Sequence, residues 1–155
     1  MLRSVLTILL ITKLAKSDEV NTSQNLEDFS NCGGDYSGYK YTIISPNYPN
    51  NYPKEIECIY NLRGSSHAKC NQIFNLQFLD FSLVPSENCH GDYLEIGDRS
   101  VFCGNVGGIR RYPAIKDNTL TIRFRSSNKS NNGAVGKGFK IEVTTLPCPS
   151  IELNS

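Results

Sequence analysis

Thr119-Leu120-Thr121-Ile122-Arg123-Phe124-Arg125 alternates without a break: Leu120, Ile122 and Phe124 take every second place, with Thr or Arg between them. Side chains on a strand point to opposite faces with period two, so this stretch reads as a strand with one buried and one solvated face. Phe74, Leu76 and Phe78 repeat the pattern, as do Phe139, Ile141 and Val143. Working outward, the runs are separated by Ser45-Pro-Asn-Tyr-Pro-Asn-Asn-Tyr-Pro53, Asn105-Val-Gly-Gly108 and the Ser/Asn/Gly-rich stretch from Ser126 to Gly138. Pro, Gly and Asn in such clusters end strands. No segment carries a helical stripe of useful length. Short half-buried strands between turns predict an all-β antiparallel sandwich.

The N-terminus sets the compartment. Residues 1–17 begin Met1-Leu2-Arg3, run apolar from Val5 to Ile11, and end with small residues at Ala15 and Ser17. This is the form of a secretory signal peptide, and the run is far short of a membrane span. Its removal takes Arg3, Lys13 and Lys16 with it and moves the net charge from +1 to −2. A near-neutral surface gives no electrostatic case for nucleic acid or an anionic membrane as partner. Residues 18–31 are polar and acidic and read as a flexible leader; 32–148 form one domain, and 149–155 a short tail.

All 6 cysteines, Cys32, Cys58, Cys70, Cys89, Cys103 and Cys148, follow the signal. An even number in a secreted chain predicts disulfides, although spacing alone leaves every pairing open. Zinc is disfavoured, because no Cys-x-x-Cys pair occurs and His67 and His90 do not form a ligand pair. Asn21-Thr22-Ser23 and Asn128-Lys129-Ser130 are glycosylation sequons, which suit the same compartment.

Together these residues resemble the CUB domain family. Cys32-Gly33-Gly34 is similar to its opening, and Ile44-Ser45-Pro46-Asn47-Tyr48-Pro49 with Tyr52-Pro53 to its most recognisable string. Cys58-Ile59-Tyr60-Asn61-Leu62 follows, with Tyr60 where the family often has Trp. Then come Leu76-x-Phe78-x-x-Phe81-x-Leu83, Cys89-x-x-Asp92-Tyr93-Leu94-x-Ile96, Cys103-Gly104, Phe124-x-Ser126 and Gly138-Phe139, in the family's order. The resemblance implies a jelly-roll-like sandwich of two five-stranded sheets. It also implies the bonds Cys32–Cys58 and Cys89–Cys103. Cys70 and Cys148 are additional to the family pattern; an internal bond between them is expected, the alternative being a bond from Cys148 to another chain.

Many CUB domains bind calcium at one end of the sandwich. The resemblance puts the three acidic ligands at positions that here hold Val84, Asp92 and Ser127. Calcium takes several oxygens and its affinity follows ligand charge, so a site with one carboxylate of three is degraded and no cofactor is expected. Glu87 is the nearest substitute, and Asp92 otherwise reads as a hydrogen-bond acceptor ordering the loop between Cys89 and Cys103.

Nothing in the chain supports catalysis. No Gly-x-Ser-x-Gly occurs, His67 and His90 read as surface histidines, and Glu55 and Glu57 as a solvated strand face. Arg110, Arg111, Lys116, Arg123 and Arg125 are the densest positive set; Arg123 and Arg125 alternate with core residues and are expected on a solvated strand face, the alternative being an anion or glycan patch. The binding candidates are loop residues: Tyr48 and Tyr52 in 46–53, then Glu87 and Asp92 in 84–92, although Tyr48 and Tyr52 read first as shaping their turn. The expected function is a monomeric, secreted, non-catalytic module for an extracellular protein or glycan, as in venom, saliva, haemolymph or seminal plasma. The alternative is the targeting domain of a truncated or alternatively spliced CUB-bearing serine protease; an ending just after Cys148 favours the first reading.

Overall fold

A computed structural model describes residues 32–98, 100–114, 117–128 and 136–149. The signal and leader segments with Asn21, the residues after Pro149, and Lys116, Lys129 and Ser130 fall outside this range. Among the described residues nine strands follow in chain order: β1 Gly33–Ser37, β2 Lys40–Ile44, β3 Glu57–Arg63, β4 Ile73–Ser82, β5 Tyr93–Ile96, β6 Ser100–Phe102, β7 Gly108–Pro113, β8 Thr119–Arg125 and β9 Gly138–Leu146. One short 3-10 turn, Glu87–Cys89, precedes β5.

The strands form two sheets in the orders β1-β3-β8-β5-β6 and β2-β9-β4-β7. The expected five-plus-five arrangement is therefore corrected to five plus four. The Cys32–Cys58 bond holds the opening segment beside β3, so β1 pairs parallel to β3 and extends the first sheet. Every other pairing is antiparallel. The chain changes sheet at each connection except β5–β6, which gives the jelly-roll character.

The alternating trios supply the core. Leu120, Ile122 and Phe124 face Leu62, Tyr60 and Cys58 across the first sheet, and all are buried. Phe74, Leu76 and Phe78 of β4 and Phe139, Ile141 and Val143 of β9 close over them from the second sheet. Burying each such side chain contributes about 1.5–3 kcal/mol. Period two breaks once, at a β-bulge between Phe78 and Asp80, where the register against β9 shifts by one residue. The bulge turns Leu79 outward and brings Phe81, three residues after Phe78, back into the core. Phe139 then meets Tyr60, Phe81 and Phe124 at ring separations of 5.8, 6.3 and 5.4 Å.

The strand directions give the sandwich two distinct ends. Segments 45–56, 83–92, 103–107, 126–128 and 136–137 gather at one, and segments 38–39, 64–72, 97–98 and 117–118 at the other. The calcium-type positions lie at the first end.

Candidate functional site

Three loops converge on Asp92, which is 4% exposed. Tyr52 comes from the loop after β2 and is 2% exposed; its hydroxyl donates to Asp92 Oδ2 at 2.6 Å. The Val84 N–H, just past β4, donates to the same tyrosine oxygen at 3.0 Å. Past β8, the Ser127 N–H and hydroxyl both donate to Asp92 Oδ1, at 2.8 and 3.1 Å. Both carboxylate oxygens are thus occupied by protein donors. A buried carboxylate is stable only when so satisfied, and bonds to a charged acceptor are the stronger kind.

Local sequence explains why the groups meet. The Pro/Asn-rich loop, with a cis Tyr48–Pro49 peptide and Asn47 at φ 62°, folds back on itself. Tyr52 then lies edge-on against Phe124, 5.2 Å between centroids, and its N–H donates to the Gly136 carbonyl at 3.3 Å. Gly136 allows that approach, since a Cβ there would press on the Ser82 carbonyl and on Tyr52 Cε1. Burial, and secondarily the bond to Asp92, holds the Tyr52 phenol well above the usual tyrosine range.

The other candidates separate from this network. Tyr48 is half-buried and donates to Asp80 Oδ2 at 2.9 Å, tying its loop to β4. Tyr52 is buried in the Asp92 network and Tyr48 braces its loop, as residues that shape a turn do. Glu87 is exposed in the 3-10 turn, and its side chain makes no hydrogen bond to the Asp92 network. Asp92 itself is an acceptor, but it joins three loops rather than ordering the Cys89–Cys103 segment internally. Exposed Asn128 donates to Glu55 Oε1 at 2.7 Å. Glu55 and His90 are exposed and share a shallow recess with Arg125 and Ser127.

Three disulfides are present: Cys32–Cys58, Cys89–Cys103 and Cys70–Cys148. Cys70–Cys148 closes the far end. There Gln72, buried at 8% exposure, is a residue the sequence reading missed. Its side chain accepts from the Ser65 N–H at 2.6 Å and donates to the Leu146 carbonyl at 3.2 Å. Asn118 completes the cluster, accepting from the Gln72 N–H at 2.9 Å. Only the nearness of Cys70 could have pointed to it.

The positive set also divides. Arg123 lies on the outer face of β8 between Glu57 at 3.5 Å and Glu95 at 4.0 Å. Arg110 is not on a solvated face: its guanidinium stacks over Phe102 and Phe78, 5.2 and 5.6 Å from the ring centroids.

The calcium positions can now be tested on chemistry. Val84 contributes a backbone donor and Ser127 two donors, where a cation needs oxygen ligands. Among the described residues no group of three or more His, Cys, Asp or Glu converges. The donor set fits a lone carboxylate and does not fit calcium.

The profile of the CUB domain matches residues 32–143. This chain belongs to the CUB domain family. Human cubilin is 33% identical over 138 residues, covering 82% of this chain and 4% of cubilin. Blastula protease 10 of Paracentrotus lividus is 29% identical over 117 residues, covering 74% of this chain and 19% of that protein. The CUB module thus spans a small fraction of these curated relatives. Among solved structures, the MASP-1 CUB2 domain bound to Ca2+ superimposes with a TM-score of 0.55 at 28% identity, covering 73% of this chain and 98% of that one. The extracellular region of zebrafish Gpr126/Adgrg6 gives a TM-score of 0.60 at 24% identity over 75% of this chain and 15% of that chain, a likeness of fold. CUB domains are generally extracellular binding modules.

Proposed function

We propose that this chain is a secreted CUB module that binds an extracellular protein or glycan, without catalysis and without calcium. The observation that carries the reading is the saturation of Asp92 by Tyr52 and Ser127. Where the MASP-1 CUB2 domain is described with Ca2+ bound, this chain uses a tyrosine, a serine and a backbone N–H to satisfy one carboxylate. The loops at that end are held by hydrogen bonds whose strength does not depend on an ion. A rigid sandwich with loops fixed in this way suits recognition. Three disulfides and the signal-like residues 1–17 support an oxidising, extracellular setting.

Secreted expression and amide exchange test the reading together. The chain should reach the medium cleaved after Ser17 with all cysteines oxidised. Exchange in 46–53, 84–92 and 126–128 should be the same in EDTA as in millimolar calcium. Retention inside the cell, or calcium-dependent protection confined to those loops, contradicts it.

A further inference from the structure

The side of the sandwich where β6 and β7 run carries a feature that the Asp92 end does not use. β6 is the last strand of one sheet and β7 the last strand of the other, so the sandwich has an open seam between them. In that seam the Arg110 guanidinium of β7 lies over both Phe102 of β6 and Phe78 of β4, two rings 5.7 Å apart that meet edge-on. Aromatic rings hold a guanidinium in place and satisfy none of its in-plane N–H groups. Among the described residues Arg110 has neither an ion-pair partner nor a hydrogen-bond acceptor, and the next residue, exposed Arg111, has none either. Elsewhere on the sandwich Lys40, Arg63 and Arg123 face carboxylates, while exposed Arg125 has no ion-pair partner among the described residues.

The surroundings say what would pair with it. Val101 (46% exposed) alternates with Phe102 on β6, and Ile109 (56% exposed) with Arg110 on β7, so each lies on the outer face of its sheet. The backbone of β7 is also available. The Ala114 N–H reaches the Gln72 carbonyl at 2.8 Å, which fixes the alternation of the β4–β7 ladder. By that alternation Ile109 and Arg111 turn their N–H and C=O groups away from β4. Pro113 falls in the same set, where its missing N–H costs the ladder nothing.

We propose that the β6–β7 seam docks an extended, carboxylate-bearing segment of an extracellular protein. The segment adds as a strand to β7 and places alternate acidic side chains on Arg110. This deepens the reading of the chain as a binding module and rests on it. Strand addition supplies affinity through the open backbone row, and a pre-positioned arginine forms a two-pronged bond to carboxylate at little further ordering cost. A sulfated glycan is the less suited occupant, because it has no backbone N–H and C=O row to pair with the open edge of β7.

The test is an amide and Arg Nε chemical-shift titration of the secreted protein. Three probes are used: an end-blocked Val-Glu-Val-Glu-Val-Glu peptide, its Val-Gln counterpart, and a heparin hexasaccharide. The Glu peptide should move the Ile109 and Arg111 amides and the Arg110 Nε, and the Gln peptide should bind at least about tenfold more weakly. Arg110→Lys should weaken the Glu peptide by about fivefold or more, since the point charge survives but the fork is lost. Arg111→Glu, on an exposed side chain, should weaken binding with the melting temperature unchanged. No shift at β7 up to about 2 mM peptide, equal binding of the Gln peptide, or movement of the same resonances by heparin alone overturns the proposal. Shifts confined to 46–53 or 84–92 overturn this site and leave the binding-module reading standing, since secretion and amide exchange test that separately.

Discussion

The two ends of the sandwich solve one problem with different chemistry. At each, loops from separate strands are drawn onto a single buried polar side chain. At the Asp92 end that side chain is a carboxylate with donors from Tyr52 and Ser127. At the Gln72 end it is a neutral amide that both accepts and donates, beside Asn118 and the Cys70–Cys148 bond. A charge makes strong bonds but must be fully satisfied, whereas an amide costs less to bury and holds less tightly. The covalent staple lies at the end with the weaker network. The Asp92 end also has staples, Cys32–Cys58 and Cys89–Cys103, but each spans a shorter stretch of chain, 26 and 14 residues against 78.

Breaking each end in turn should rank the devices. Replacing Cys70 and Cys148 together by Ser removes the cross-link with the longest loop and should cost about 4 kcal/mol in denaturant unfolding. Asp92→Ala leaves the Tyr52 hydroxyl and the Ser127 donors buried without an acceptor; a loss of about 3 kcal/mol is expected by the same method. Gln72→Ala should cost about 1–2 kcal/mol, with amide exchange rising in 64–72 and not in 84–92. A larger loss from Gln72→Ala than from Asp92→Ala would reverse the comparison.

Alkali offers the gentlest discrimination. The Tyr52 and Tyr60 phenols are raised above the usual tyrosine value, chiefly by burial, and Tyr41 is pushed up to about 12 by the same cause. The unfolded chain releases these protons near pH 10 while the folded chain keeps them. Stability from these groups is therefore complete below pH 10 and lost as pH rises toward and through the folded values. Ionisation of Tyr52 should quicken exchange in 46–53 and 84–92 and leave 64–72 unchanged, because the Gln72 cluster consists of amides that do not titrate. Uniform loosening of both ends would contradict this.

The sequence carried the sandwich because period two survives in β8, β9 and most of β4, where one face is core and the other water. Its failure after Phe78 is a bulge, which shifts one residue without changing composition. Asp92 was legible as an acceptor through the family pattern. Its donors were less so, because Tyr52 and Ser127 lie 40 and 35 residues away and an aromatic in a Pro/Asn loop reads equally as anchor or brace. Gln72 looks like any polar loop residue until Ser65, Asn118 and Leu146 are brought to it. Arg110 was grouped with Arg123 and Arg125 by charge, and only the tertiary approach of β6 to β4 and β7 sets it over two rings. The fourth strand of the second sheet is its last because β1 joins the first sheet, a choice fixed by a bond between residues 26 apart.

In the proposed reading, protein donors take the place of a metal around Asp92. Thermal unfolding of the non-reduced wild type and of the Val84→Glu/Ser127→Asp variant, each in EDTA and in about 5 mM calcium, tests it most directly. Wild type should melt at the same temperature in both buffers, and the variant that restores the two acidic positions should melt higher with calcium. A calcium-dependent rise in wild type would contradict it.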